Sequence, residues 1–245
     1  MNQTAAIKVK INYPLYHGTS TLFLNSIREN GLGVVNPVEQ YGALEFLNAL
    51  YPICKKELSE DPQWQIEGFL LQSIIDQKIS RGGFNWRHGN AYVSPECSRA
   101  VTHALHNEYG SEALTMAIRW YERLLHQKPK FDFPEEITSS QLLELRGQHF
   151  EPIIVEVKKD VLTVTDLIGE KDEDPATLLE MIEGNKKSGE AGKILNQQCN
   201  FYLRTVVPPE NLIFYNLKDY DTKDVDFELC RNKQILNKGK SQWLN

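Results

Sequence analysis

Apolar and polar positions alternate along Ile7-Lys8-Val9-Lys10-Ile11, and the pattern predicts a strand over residues 7–17. Residues 21–30 change period, with Phe23 and Ile27 on one face and Gly31 at the stop, which predicts a helix. Residues 41–80 read as mostly helical, carried by Leu44, Leu47, Leu50, Phe69, Leu70, Ile74 and Ile75 and punctuated by Pro52 and Pro62. Ala91-Tyr92-Val93 is a short strand; Ser94 then predicts an N-cap with Pro95 at the first helical position. That helix carries Ala100, Val101, Ala104 and Leu105, a second follows over residues 111–127, and residues 139–146 suit a short third.

The second half is richer in strands. Pro152-Ile153-Ile154-Val155-Glu156-Val157 predicts a buried strand, and residues 161–165 another. Residues 201–206 and 212–217 predict paired strands around Pro208-Pro209. Residues 169–192 are charged and glycine-rich, with an apolar patch at Leu178, Leu179 and Ile182; they predict a solvated helix and a mobile acidic loop. The tail from Lys218 is polar. Short strands in two groups with helices between them define an α+β class.

A length of 245 residues with 41% hydrophobic content suits one domain, 1–245, with a helical insertion at about 40–80. The net charge of −6 makes a nucleic-acid partner less favoured than a protein, because phosphate binding needs clustered Lys and Arg. Cys54, Cys97, Cys199 and Cys230 are far apart and suit reduced thiols in a cytoplasmic protein, or in one delivered to a target cytosol without a signal peptide. No apolar run is long enough for a membrane span, so a soluble protein is expected.

The candidate chemistry starts at Leu15-Tyr16-His17-Gly18-Thr19-Ser20. A strand-end imidazole can hydrogen-bond a sugar hydroxyl, and a glycine beside it lets backbone groups approach a flat ligand. A second segment is Gly89-Asn90-Ala91-Tyr92-Val93-Ser94, followed eleven residues after Tyr92 by His103. Rings at both positions could clamp a flat heterocycle. A third is Gln198-Cys199-Asn200-Phe201, leading to Pro208-Pro209-Glu210. His103 and His106 also share a helical face, but no third ligand lies at metal spacing, so no metal is expected. Phe84 and Trp86 suit either packing or a pocket cap.

In this order the three segments resemble the ADP-ribosyltransferase superfamily, in its His-Tyr-Glu branch of poly-ADP-ribose polymerases, diphtheria-type toxins and DarT-like toxins. The resemblance covers about 40 residues. It implies a split β-sheet core with helical insertions, NAD as substrate and nicotinamide as leaving group. His17 would bind the adenosine-side ribose, the Gly18 backbone the carboxamide, and Tyr92 and His103 the nicotinamide ring, with Tyr16, Thr19 and Ser94 in the binding segment. Asn200 would touch the nicotinamide ribose, where the family commonly has a glutamate; Glu210 and Glu156 are alternative carboxylates. The expected function is mono-ADP-ribosylation of a protein by a toxin or effector, with an antitoxin or immunity partner possible and the insertion shaping target access. The rivals are a DarT-like nucleobase transferase, an inactive NAD-binding or protein-interaction module, and the NAD-using RNA 2′-phosphotransferases, which also begin with His-Gly-Thr.

Overall fold

A computed structural model describes residues 9–80 and 83–217. In chain order the elements are β1 (Leu15–Ser20), α1 (Leu24–Asn30), α2 (Pro37–Gln40), α3 (Ala43–Glu57), α4 (Pro62–Asp76), β2 (Tyr92–Val93), α5 (Cys97–His106), α6 (Glu112–Gln127), α7 (Glu135–Thr138), β3 (Pro152–Val157), β4 (Leu167–Gly169), α8 (Pro175–Lys186), α9 (Gly189–Asn196), β5 (Phe201–Leu203) and β6 (Leu212–Asn216). The α+β class is as expected. The strands form two three-stranded antiparallel sheets, ordered β1-β3-β6 and β2-β5-β4. They meet at one point, where Tyr16 and Ser94 exchange both backbone hydrogen bonds at 2.8 Å.

The expected pairing of residues 201–206 with 212–217 does not occur. β5 pairs with β2 and β4, and β6 pairs with β3. Neither Pro208 nor Pro209 has an N–H to give a hairpin ladder, and a 3-10 turn follows at Pro209–Asn211. Val207 meanwhile pairs with Leu32, at the end of α1, so the chain leaves one sheet for the other.

Three other expectations need correction. Residues 161–165 are not a strand, because the Thr163 hydroxyl and backbone N–H both donate to Asp166 Oδ2 (2.6 and 2.8 Å), capping a 3-10 turn before β4. Ser94 does not cap α5. Its Oγ accepts the Glu96 N–H at 3.2 Å one turn earlier, and the helix starts at Cys97. Within residues 169–192 the expected helix is α8, capped where Asp174 accepts the Thr177 N–H at 3.0 Å with Pro175 at the first position, and a second helix, α9, stands in place of the expected loop. Leu178 and Ile182 anchor α8 in the core, and α9 follows directly.

The predicted helical stretch at 41–80 divides at Asp61-Pro62 into α3 and α4, and α3 runs through Pro52. An interior proline costs about 3 kcal/mol; Leu47, Leu50 and Cys54, all fully buried on α3, offset it. α3 also packs on α6 and α7, so the stretch shares its core with later helices. Asp61 is buried where it caps Trp64 N and accepts from Arg123 Nε and an Arg123 terminal nitrogen of α6 at 2.9 and 2.7 Å. This helical layer is continuous with the faces of β1 and β3 that carry Leu15, Ile153, Val155 and Val157. Among the described residues no helix is long and apolar enough to cross a membrane.

Candidate functional site

Where the two sheets meet, a cleft opens beside β1, β2 and α5. It encloses about 1170 Å³, counting the part open to solvent, a generous size for a dinucleotide-scale ligand. Tyr16, His17, Gly18, Thr19, Tyr92, Ser94, His103 and Asn200 all line it, so the three sequence segments converge on one site. Phe84 and Trp86 do not: they stack on one another 6.3 Å apart outside it, and Phe84 is exposed.

His17 is the best-defined member. Its Nδ1 is 2.7 Å from the Tyr92 carbonyl. A carbonyl only accepts, so Nδ1 carries the proton and Nε2 of the neutral ring is left as an acceptor. Burial lowers the His17 pKa, and the hydrogen bond to Tyr92 opposes this only in part. The Tyr92 hydroxyl accepts from Asn85 Nδ2 at 3.0 Å and donates to the Arg87 carbonyl at 3.1 Å; its ring meets Tyr202 edge-on across the β2–β5 pair.

His103 Nδ1 accepts from Asn107 Nδ2 at 3.2 Å, which leaves Nε2–H as a donor. Burial first, then the charges of His17 and Arg99, hold its pKa down at about 3. It is therefore a neutral ring at physiological pH. His106 turns away and bonds the Thr102 carbonyl. Among the described residues no group of His, Cys, Asp and Glu could hold a metal.

Gly18 has a packing role in addition to lining the cleft. A Cβ there would lie 1.9 Å from the Ala100 carbonyl oxygen, so the glycine exists to let α5 pack onto β1. The Thr19 hydroxyl donates to the Gly110 carbonyl at 3.1 Å, and the backbone of Ser94 is committed to Tyr16. The Thr19 hydroxyl and the Ser94 backbone are thus held within the fold, and Gly18, two residues after Tyr16 on β1, turns its backbone N–H and C=O to the same side as those of Tyr16.

Asn200 ends the loop before β5 and is buried. Its Nδ2 donates to Glu170 Oε2 at 2.9 Å and to the Gln197 carbonyl at 3.3 Å, while its Oδ1 is buried without a partner among the described residues. Glu170 lines the cleft and was missed by sequence reasoning, as were Asn85, Arg87, His88, Arg99 and Glu112. Asn85 Nδ2 and an Arg87 terminal nitrogen both donate to the Glu170 carbonyl, at 3.1 and 2.7 Å. Arg87 also grips Asp172 with two bonds of 2.9 Å. Glu170 is thus part of the site wall, and Arg87 holds the acidic run behind it through Asp172. Its only sequence signal is a block of charge, which ordinarily marks a solvated loop.

His88 Nε2 is buried without a hydrogen-bond partner among the described residues, 4.0 Å from Glu112 Oε2. Burial depresses the His88 pKa to about 4. Burial also raises that of Glu112, against the pull of Arg99 and Arg119. The cleft thus holds three neutral imidazoles, from His17, His88 and His103, together with two carboxyl side chains.

Comparisons of this chain with protein-family models, curated proteins and solved structures returned no match.

Proposed function

We propose that the cleft binds NAD and transfers its ADP-ribose to a nucleophile, releasing nicotinamide. The observation that carries this reading is the convergence of His17, Tyr92, His103 and Asn200, from three distant segments, on one cleft at a sheet junction. The bare Nε2 of His17 suits a ribose hydroxyl donor, and the faces of Tyr92 and His103 suit a planar pyridine ring. Asn200, buried in the cleft wall beside Glu170, is assigned to the nicotinamide ribose in this reading. The acidic balance of the chain favours a protein side chain as acceptor over a nucleic acid, in keeping with a toxin or effector.

The test is nicotinamide release from NAD by the purified protein and by a His17→Ala variant. Release by the wild type that falls at least about a hundredfold in the variant is the expected result. Equal release by both removes His17 from the site. A wild-type protein that neither binds nor cleaves NAD refutes the reading as a whole.

A further inference from the structure

We propose that Glu170 is the catalytic carboxylate of this cleft, delivered from the end of β4 beside Asn200 at the entry to β5. The inference rests on the reading of the cleft as an NAD site and identifies the charged group that the Asn200 segment does not itself supply.

β4 and β5 are antiparallel, with Gly169 opposite Phe201. The next position of that register places Glu170 opposite Asn200, and the pairing continues there: the Glu170 N–H donates to the Asn200 carbonyl at 2.9 Å. Directly opposed residues in an antiparallel pair project to the same face, with Cβ atoms about 5 Å apart. A carboxylate carried at 170 therefore reaches the space that a carboxylate at 200 would reach, and the 2.9 Å bond from Asn200 Nδ2 to Glu170 Oε2 joins the two side chains there. Both line the cleft with His17 and Tyr92.

The surroundings hold Glu170 still. Asn85 and Arg87 fix its carbonyl, and Arg87 anchors Asp172 two residues on. The Gly169 N–H closes a turn onto the Glu173 carbonyl at 3.2 Å. No room remains for a side chain at 169, where a Cβ would fall 2.7 Å from that same oxygen. Asn85 also bonds the Tyr92 hydroxyl, so one network fixes both the ring wall and the carboxylate. Among the described residues only Asn200 engages the carboxylate oxygens by hydrogen bonding, which leaves Oε1 for a ligand hydroxyl.

Cleaving the nicotinamide–ribose bond sends its electron pair to the pyridine nitrogen. Nicotinamide leaves neutral, and the positive charge passes to C1′ and O4′ of the ribosyl group. Glu170, bonded to the adjacent 2′-hydroxyl, places negative charge where the positive charge develops. The acceptor lone pair then closes on C1′ and the acceptor proton goes to solvent. With water as acceptor the products are ADP-ribose, nicotinamide and one proton. Asn200 acts as the positioning residue for the carboxylate.

The experiment compares wild type, Glu170→Gln, and an exchange variant carrying Glu170→Gln with Asn200→Glu. Nicotinamide release and NAD dissociation constants are measured on each. Glutamine keeps an oxygen for the Asn200 bond, so NAD affinity is expected to change less than about fivefold while release falls by about a hundredfold or more. The exchange variant is expected to recover at least about a tenth of wild-type release, which a purely structural role for Glu170 would not produce. It also serves as the reading if Glu170→Gln alone fails to fold. Wild-type release in Glu170→Gln overturns this inference and leaves the NAD reading intact. A wild-type protein that does not bind or cleave NAD overturns both.

Discussion

The Nδ1–H of His17 donates to the carbonyl of Tyr92 across 2.7 Å, adding a side-chain tie between the first and second sequence segments beside the Tyr16–Ser94 backbone bridge. The bond sets the tautomer, and burial favours the neutral ring below the ordinary 6.5. NAD affinity is therefore expected to stay level from about pH 8 to about pH 6.5 and to weaken only below it, as Nε2 gains a proton and ceases to accept. Calorimetric titration across that range checks this; a rise in affinity on acidification contradicts the assigned tautomer.

His88 and His103 make the fold acid-sensitive. Their pKa values fall from 6.5 to about 4 and about 3 by burial. Between those values and 6.5 the unfolded chain binds more protons than the folded one, so stability rises with pH there. The contribution is complete above 6.5 and is lost as pH falls toward the folded values. At pH 5 each histidine is expected to cost about 2 kcal/mol relative to pH 7. Urea titrations at the two pH values read the loss, and His88→Gln should reduce it by about 2 kcal/mol.

Gly18→Ala places a methyl 1.9 Å from the Ala100 carbonyl oxygen. Backbone cannot yield as a flexible side chain does, so α5 must lift from β1. A destabilisation of about 3 kcal/mol or more is expected in chemical denaturation. A loss below about 0.5 kcal/mol would show that the contact relaxes freely.

Arg87→Ala separates positioning from stability. Its ion pair with Asp172 is partly exposed, with the Asp172 side chain 58% accessible, so the stability cost is expected to be below about 1 kcal/mol. The same change releases the Glu170 carbonyl and the Asp172 anchor. Nicotinamide release is expected to fall about tenfold, mainly in kcat, because the carboxylate loses its fixed frame. An unchanged kcat would contradict the network.

Asn200→Asp brings a second carboxyl within hydrogen-bond distance of Glu170, where the wild-type contact is 2.9 Å. Two such groups share a proton, so one folded-state pKa rises above its unfolded value. The variant should match wild type near pH 4 and lose about 2 kcal/mol by pH 7, because the unfolded chain releases that proton first as pH rises. A pH-independent difference in unfolding free energy would refute the coupling.

Much of this molecule is written in its local sequence. The apolar spacing of Ala113, Leu114, Ala117, Ile118, Tyr121 and Leu124 buries one stripe of α6, as the period requires. β3 follows from its run of branched residues, and α1 stops at Gly31, which has φ +96°. Tyr16, His17, Tyr92, His103 and Asn200, each singled out within a short segment, all line the cleft.

Partnership between segments was not legible. The exchange of β5 and β6 between sheets, the role of Gly18 as a seat for α5, and the seating of Glu170 beside Asn200 depend on contacts between residues far apart in the chain. Local periodicity determined which stretches became helix or strand and which residues could touch a ligand. Tertiary structure alone decided which strand met which, because register is set by the burial of both partners at once. That pairing brought into the cleft a carboxylate from an acidic run that the sequence reads as a solvated loop.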